Sequence, residues 1–360
     1  MYKEKNRTEQ VLEALADERS KTVFMVRKHY GKGIDGGYAS RNSAFEAIMT
    51  KKDTRSVSEL KDFLQSDKYA IYGAGAGLKL LCEDLDTRNC AAVWDRNPAL
   101  WGTRVENISK DVRISPPPQS PQSDICNVLL TLFNPQQVDY VKEYFIRLGI
   151  QIDNILTLGE YICGENLSEQ YFDREIILPR LSGVESFVDG GCLDLSTSKQ
   201  LMTLIGDDVK IFAFEPDNYS VDLIKGIISR DNLGNVQLIQ AALWNENTKL
   251  SFVENDVIRG ASHIEVSNVT KTVNAVTIDE TVQNEKISYI KLDIEGAELE
   301  ALHGAVKTIL RDKPMLAISV YHKAIDFIDI PEFIMSVRRD YSLYMRHYTI
   351  TPAETVLYAI

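Results

Sequence analysis

Two Rossmann-like α/β domains behind a helical lead-in are what the 360-residue sequence predicts. Three observations carry this. Apolar runs of strand length alternate with amphipathic stretches of helix length, a pattern that builds parallel sheets covered by helices. The alternation starts twice, each time with an apolar run entering a glycine turn: YAIYGAGAGLKLL at 69–81 and FVDGGCLDLSTS at 187–198. The last two strand-like segments, YSLYMRHY (341–348) and ETVLYAI (354–360), are joined by a short turn, hence an antiparallel hairpin closing a parallel sheet.

Residues 1–66 are the lead-in. Leu12, Leu15, Val23 and Val26 recur near helical spacing across 8–28, with Thr8 as N-cap, and two further helical pieces lie around 42–50 and 57–65. This part shows no chemistry and is expected to pack on the first domain or on a second subunit. The first domain, 67–160, runs KYAIYG into its glycine turn and then a helix through Leu81. It continues with strand AAVWD ending at Asp95, the buried-strand run CNVLLTL, a helix from Gln136 to Leu148 and a short strand near Ile155. SPPPQSPQS (115–123) reads as a polyproline-like surface loop inside this domain, because strand and helix resume at once. The second domain, 161–360, opens with an irregular stretch and then alternates again. Its strands are expected at 186–189, 210–214, 236–240, 287–292 and 314–320, its helices at 197–205, 218–229 and 297–310, and a β-rich insertion at 247–277.

Composition narrows the function classes. A formal net charge of −12 without a sustained Lys/Arg block is opposite to the footprint that nucleic acid or an anionic membrane surface requires. Apolar stretches such as Cys126–Phe133 are too short to span a bilayer. The charged start MYKEKNRTEQ leads into no hydrophobic signal region. The five scattered cysteines (Cys82, Cys90, Cys126, Cys163, Cys192) contain no CxxC pair, which predicts neither a disulfide framework nor a zinc knuckle. The expectation is a cytoplasmic protein acting on a small-molecule or glycan acceptor, with no nucleic acid partner and no membrane span; a homo-oligomer is compatible with it.

Sheets of this kind bind ligands beyond the carboxyl ends of their strands. In the second domain Asp189, Gly190 and Gly191 end the first strand, Glu215 and Pro216 the second, Ala241 and Ala242 the third, and Asp293 the fourth. Asp194, Ser196 and Thr197 continue the first turn. The set suits a sulfonium nucleoside, which has no pyrophosphate to be met by a row of backbone amides. Asp189 would meet its ammonium group directly or through water, and the glycines allow close backbone approach. Glu215 would accept from both ribose hydroxyls, and the small Ala241–Ala242 pair leaves room for adenine. The plainer alternative is that acids such as Asp194 and Asp293 only cap the helices that follow. The terminal hairpin is typical of S-adenosylmethionine-dependent methyltransferases and not of dehydrogenases.

The segment from FVDGGCLDLSTS through IFAFEPD and VTIDE to YIKLDIEGAELEALHGA resembles the FkbM family of S-adenosylmethionine-dependent methyltransferases, over roughly residues 185–360. Its most specific element is KLDIEGAE (291–298); YHKAIDFIDIPEFI (321–334) and RHYTITPAETVLYAI (346–360) look like a bacterial subgroup. The resemblance implies a class I methyltransferase fold, S-adenosylmethionine as cofactor, and methylation of hydroxyl oxygens on sugars, polyketides and related metabolites. Family members often have a further glycine where this chain has Leu195, a departure that could narrow the cofactor pocket. A sugar hydroxyl is a poor nucleophile, so a general base would help. His322, in YHK directly after the fifth strand, is the first choice and Asp293 the second, with Lys323 and Tyr321 orienting the acceptor. No metal is expected; a divalent ion held by Asp293 and Glu295 with a sugar diol is the lesser alternative.

The first glycine loop is a defective dinucleotide fingerprint. Gly73 and Gly75 are in place, but Leu78 stands at the third position with Gly77 one step early, and Asp95 lies where a ribose hydroxyl would be met. The domain resembles the small Rossmann-like N-terminal domains of sugar-modifying enzymes, which implies a candidate second site for a nucleotide or nucleotide sugar. The bland reading is a scaffold that binds nothing. Two rival functions remain: an NAD-dependent oxidoreductase or epimerase using Gly73, Gly75, Gly77 and Asp95, and a non-catalytic nucleotide-sensing protein, for which Leu195 is the best support. The first lacks a TyrxxxLys pair placed after that loop.

Overall fold

A computed structural model of the chain describes residues 6–30, 44–45, 47–48, 57–65, 68–84, 86–105, 108, 111–120, 122, 124–132, 135–162, 170–253, 263–264, 271–349 and 352–360. The chain divides at 165/166 into two compact units, and its first two helices belong to the second.

The smaller unit is a parallel sheet of β1 (Tyr69–Tyr72), β2 (Cys90–Trp94), β3 (Ile114–Ser115), β4 (Asn127–Leu130) and β5 (Ile155–Thr157), in the order β3-β2-β1-β4-β5. This is the doubly wound order, in which the chain works outward on one side of β1 and then crosses to the other. The helix Pro135–Arg147 turns Val138, Val141 and Phe145 onto Ala70, Tyr72, Val128 and Leu130 of the sheet. Both glycine turns and their flanking strands lie where the sequence puts them.

The larger unit holds a seven-stranded sheet. Its strands are β6 (Ser186–Gly190), β7 (Lys210–Phe214), β8 (Val236–Ile239), β13 (Tyr289–Leu292), β14 (Met315–Ser319), β15 (Leu343–His347) and β16 (Thr355–Ala359), in the order β15-β16-β14-β13-β6-β7-β8. β16 pairs antiparallel with both β14 and β15, so the terminal hairpin is present, and the other pairings are parallel. Successive side chains of a strand point to opposite faces. Phe187, Ile211, Tyr289 and Ala317 accordingly enter one core, while Val188, Phe212, Ile290 and Leu316 enter the other. Burial on both faces explains why these strands read as continuous apolar runs. The β-rich insertion forms a separate four-stranded sheet from β9 (Ala242–Leu243), β10 (Thr248–Val253), β11 (His263–Ile264) and β12 (Lys271–Val276).

Three expectations are corrected. The lead-in is two helices over its first part, Arg7–Ala14 and Glu18–Tyr30, and the N-cap is Asn6, not Thr8. Asn6 and Glu9 exchange side-chain-to-backbone hydrogen bonds in a capping box. These helices pack on the larger unit's own sheet instead of on the first domain. Ala16 N–H donates to the Leu343 carbonyl (2.8 Å), Met345 N–H donates to Ser20 Oγ (2.9 Å), and the buried Arg346 guanidinium pairs with Asp17 (2.7 Å). The helical piece at 42–50 lies largely outside the described residues. The single helix expected at 297–310 is broken into Glu298–His303 and Val306–Asp312. The break falls at Gly304, where a Cβ would stand 2.1 Å from the Trp244 carbonyl oxygen. Among the described residues, no helix is long and apolar enough to cross a membrane.

Candidate active site

In the larger sheet the strand order reverses between β6 and β13, and ligands of such sheets bind at that switch point. The two strand tips touch there. Asp293 N–H donates to the Gly190 carbonyl (3.2 Å), and Gly191 (φ +72°) lies so close that a Cβ would stand 2.0 Å from the Asp293 carbonyl oxygen. The glycine turn and the KLDIEGAE segment are therefore one surface.

Beneath that surface lies a buried ion pair. The parallel register sets Asp189 beside Lys291, and Lys291 Nζ reaches Asp189 Oδ1 at 3.1 Å with the two side chains 2% and 0% exposed. Ser198 Oγ donates to Asp189 Oδ2 (2.6 Å). Lys291 also donates to the carbonyls of Gly190 (2.9 Å) and Gly191 (2.8 Å), tying the turn to the sheet. Burial pushes the Lys291 ammonium toward its neutral form, but Asp189 and Asp293 outweigh it and hold the pKa above the ordinary lysine value. Asp189, expected to meet a ligand ammonium group directly or through water, is 0% exposed and pairs inside the fold with Lys291.

The turn itself is left-handed at Leu193 (φ 45°) and Leu195 (φ 60°). Leu195 adopts a backbone that favours glycine because its side chain is fully buried, with Cys192, Leu201 and Ile224 in the same core. Asp194 accepts from Ser196 N–H (3.0 Å) and serves the turn locally. Ser196 is exposed and Thr197 half-buried, while Ser198, which the sequence did not single out, turns inward. Glu215 ends β7 with one oxygen accepting from Leu193 N–H (3.1 Å) and the other from Asp217 N–H (3.0 Å). Each oxygen keeps a free lone pair, and burial raises its pKa above the usual carboxylate value. Past Pro216, Asp217 caps the helix Asn218–Asp231. Ala241 and Ala242 are both buried, and Ala242 packs with Phe252, Val273 and Ala275 of the insertion.

Around Asp293 the structure gathers an acidic cluster. Asp293 accepts from the hydroxyls of Tyr171 (2.8 Å) and Tyr321 (3.2 Å). Burial pushes its pKa up, but His322, Lys291, Tyr171 and Ser319 outweigh that and leave it below the ordinary value. His322 Nδ1 lies 2.9 Å from Glu298 Oε1, and Nε2 lies 3.5 Å from both Asp293 and Glu295. Burial favours a neutral ring; the carboxylates prevail and push its pKa up to about 10. So held, the ring favours its protonated form, in which it lacks the lone pair that the expected base role uses. Glu295 (φ 54°) is 31% exposed against 26% for Asp293 and 1% for Glu298, and burial raises its pKa to about 7. Glu354, also left-handed (φ 63°), accepts from Tyr321 (3.3 Å) and Gln170 (2.9 Å), with its pKa raised to about 7 by burial. Lys323 is exposed, its N–H donating to Asp326 (2.8 Å) and its stem lying over Gly296.

In the smaller unit, both Asp95 oxygens are engaged by backbone, one with Ala74 N–H and one with Asn97 N–H, each at 2.7 Å. Gly73 (φ 107°) faces Thr131 Oγ1, whose hydroxyl donates to the Gly73 carbonyl (2.6 Å). Gly77 serves packing, since a Cβ there would stand 2.2 Å from the Thr131 carbonyl oxygen, whereas Gly75 faces open space. Asp95, expected at a ribose hydroxyl, thus links the glycine turn to the Asn97 turn through its two oxygens.

The residues missed by sequence reasoning are Lys291, Tyr171, Glu298 and Glu354. Lys291 carried a signal, a charge inside the apolar strand run YIKLDI. Tyr171 carried none, since it sits in the irregular stretch before β6 and reaches Asp293 only in three dimensions.

Residues 195–343 match the family model of the methyltransferase FkbM domain. A crystal structure of Methyltransferase FkbM from Methylobacillus flagellatus KT is 17% identical, with a TM-score of 0.48, over 90% of this chain and 99% of that one. Precorrin-6y C5,15-methyltransferase from Geobacter metallireducens GS-15 is 12% identical, with a TM-score of 0.32, over 49% of this chain and 80% of that one. Aeropyrum pernix fibrillarin, solved with natively bound S-adenosyl-L-methionine, is 11% identical, with a TM-score of 0.33, over 50% and 67%. No curated protein matches the chain.

Proposed function

From a chain that carries a methyltransferase of the FkbM type, we propose an S-adenosylmethionine-dependent O-methyltransferase acting on a hydroxyl of a sugar, nucleotide sugar or related metabolite. The observation that carries the reading is the contact of the Gly190–Gly191 turn with Asp293, which joins a nucleoside-type strand tip to a cluster of hydroxyl-accepting carboxylates. The residues present fit the cofactor. Glu215 keeps a lone pair on each oxygen for two ribose hydroxyls, and the exposed Leu193 and Tyr219 beside it offer apolar surface to a base.

When bound, S-adenosylmethionine supplies a methyl group already activated by its sulfonium charge. The protein then has to align the acceptor oxygen and exclude water. Asp293, fixed by Tyr171 and Tyr321, accepts a hydrogen bond from the acceptor and sets its angle. The base role passes from His322 to Glu295, the more open carboxylate of the cluster, which takes the hydroxyl proton. An acidic cluster suits the uncharged, hydroxyl-bearing part of an acceptor. In this reading Tyr321 and Lys323 would orient the acceptor.

Two measurements test this. Isothermal calorimetry with S-adenosylhomocysteine should give a clear affinity that Glu215→Ala weakens about ten-fold or more, the loss of a charge-assisted hydrogen bond of roughly 1.5–3 kcal/mol. A labelled methyl donor incubated with a panel of sugars and nucleotide sugars should mark a hydroxylated acceptor, with Glu295→Gln slowing transfer. Binding without transfer to any hydroxyl compound would remove the acceptor assignment.

A further inference from the structure

We propose that Asp293, Glu298 and His322 form a binding site for one divalent transition-metal ion of the Mn²⁺/Zn²⁺ class. One ligand atom from each lies within 4.8 Å of the others. Ligand atoms on a single ion of this class stand about 3–4.3 Å apart, as bond lengths near 2.1 Å require, so only small side-chain adjustments are needed. Glu298 is the telling member. Its Oε1 accepts from Ile294 N–H (2.8 Å) and faces His322, while Oε2 is buried and makes no hydrogen bond. A carboxylate oxygen 99% removed from water and left unpartnered is costly unless something cationic completes it. The ring nitrogens of His322, 9% exposed, are near carboxylates, yet no hydrogen-bond partner stands in line with either. Lys291, within electrostatic reach of Asp293, is already paired with Asp189.

The donor set indicates the ion. Two carboxylates and one imidazole, which gives up its proton as the ion binds, suit Mn²⁺ or Zn²⁺; Mg²⁺ and Ca²⁺ prefer oxygen alone. Glu295, whose carboxylate is 3.5 Å from His322, stands at the more open side as a fourth ligand or as a base beside an ion-held hydroxyl. Tyr171 and Tyr321 donate to Asp293, the kind of outer contact that fixes a ligating carboxylate. If the acceptor reading above holds, the ion would grip two neighbouring hydroxyls of a polyol and favour the ionised form of one. The site itself does not depend on that reading.

The test uses the full chain, stripped with chelator and titrated with Mn²⁺, Zn²⁺ or Mg²⁺ alone by calorimetry. One equivalent of Mn²⁺ or Zn²⁺ per chain should bind, and more tightly than Mg²⁺. Glu298→Gln and His322→Gln should each weaken binding by about a hundred-fold or more. X-ray absorption of the zinc-loaded unmodified protein should show one imidazole in the first shell, which keeps the proposal testable should a variant fail to fold. Absence of stoichiometric binding, undiminished binding in both variants, or an all-oxygen first shell would each overturn it. Metal binding without methyl transfer would leave the site standing and count against the hydroxyl acceptor alone.

Discussion

Replacing Lys291 with methionine should be among the most damaging single changes in the larger unit. Lys291 and Asp189 are 2% and 0% exposed, so water screens neither charge. Exposed pairs contribute about 0–1 kcal/mol; removal of one member of a buried pair costs about 3–5 kcal/mol, because the other is left charged and unsolvated. Lys291→Met also removes the donor that holds the Gly190 and Gly191 carbonyls. Against a typical total of about 5–15 kcal/mol, the loss should lower the urea midpoint markedly and speed amide exchange in 186–190 and 289–292. Asp189→Asn should be comparably harmful on its own. The double variant should recover part of the loss, since asparagine still accepts from Ser198 and no lone buried charge remains. A single Lys291→Met variant within about 1 kcal/mol of the unmodified protein, or a double variant whose cost equals the sum of the singles, would refute the reasoning.

Two further changes follow from the same packing. Leu195→Gly should relieve a left-handed backbone costing about 1–2 kcal/mol but forfeit a fully buried leucine worth about 2–5 kcal/mol, so thermal melts should show net destabilisation. Stability should also fall in acid through Asp17. Burial raises its pKa, but Arg346 and Ser20 outweigh that and hold it at about 2, below the ordinary 3.8. Its stabilising contribution is therefore complete above pH 4 and lost as pH falls through about 2, amounting to about 1 kcal/mol once solvent screening of a third-exposed side chain is discounted. Asp17→Asn should flatten that segment of the melting-temperature profile.

The fold was legible because period and order are written in short apolar runs. Strand runs such as FVDGG and YIKLD, the two glycine turns and the closing hairpin all specify backbone directly. Side-chain direction was less legible. Asp189 sits at a strand tip in the sequence, yet register with Lys291 turns it inward, and that register is a long-range fact. His322 suggested a base by its residue type and its place after the fifth strand; its surroundings include three acids, of which Glu298 follows directly on the left-handed Glu295–Gly296 turn. The helix Asp326–Val337, with Pro331 inside it, carries a breaker that would argue against it from sequence alone.

The lead-in helices seal an otherwise open flank. β15 is the outermost strand of the seven, and its free side meets Ala16 and Ser20 through backbone-directed hydrogen bonds. A chain trimmed back toward residue 166 would uncover that strand and offer it to a second copy, since unpaired strand edges recruit one another into insoluble stacks. Anyone isolating residues 166–360 should graft the first thirty residues onto them, or expect a gel.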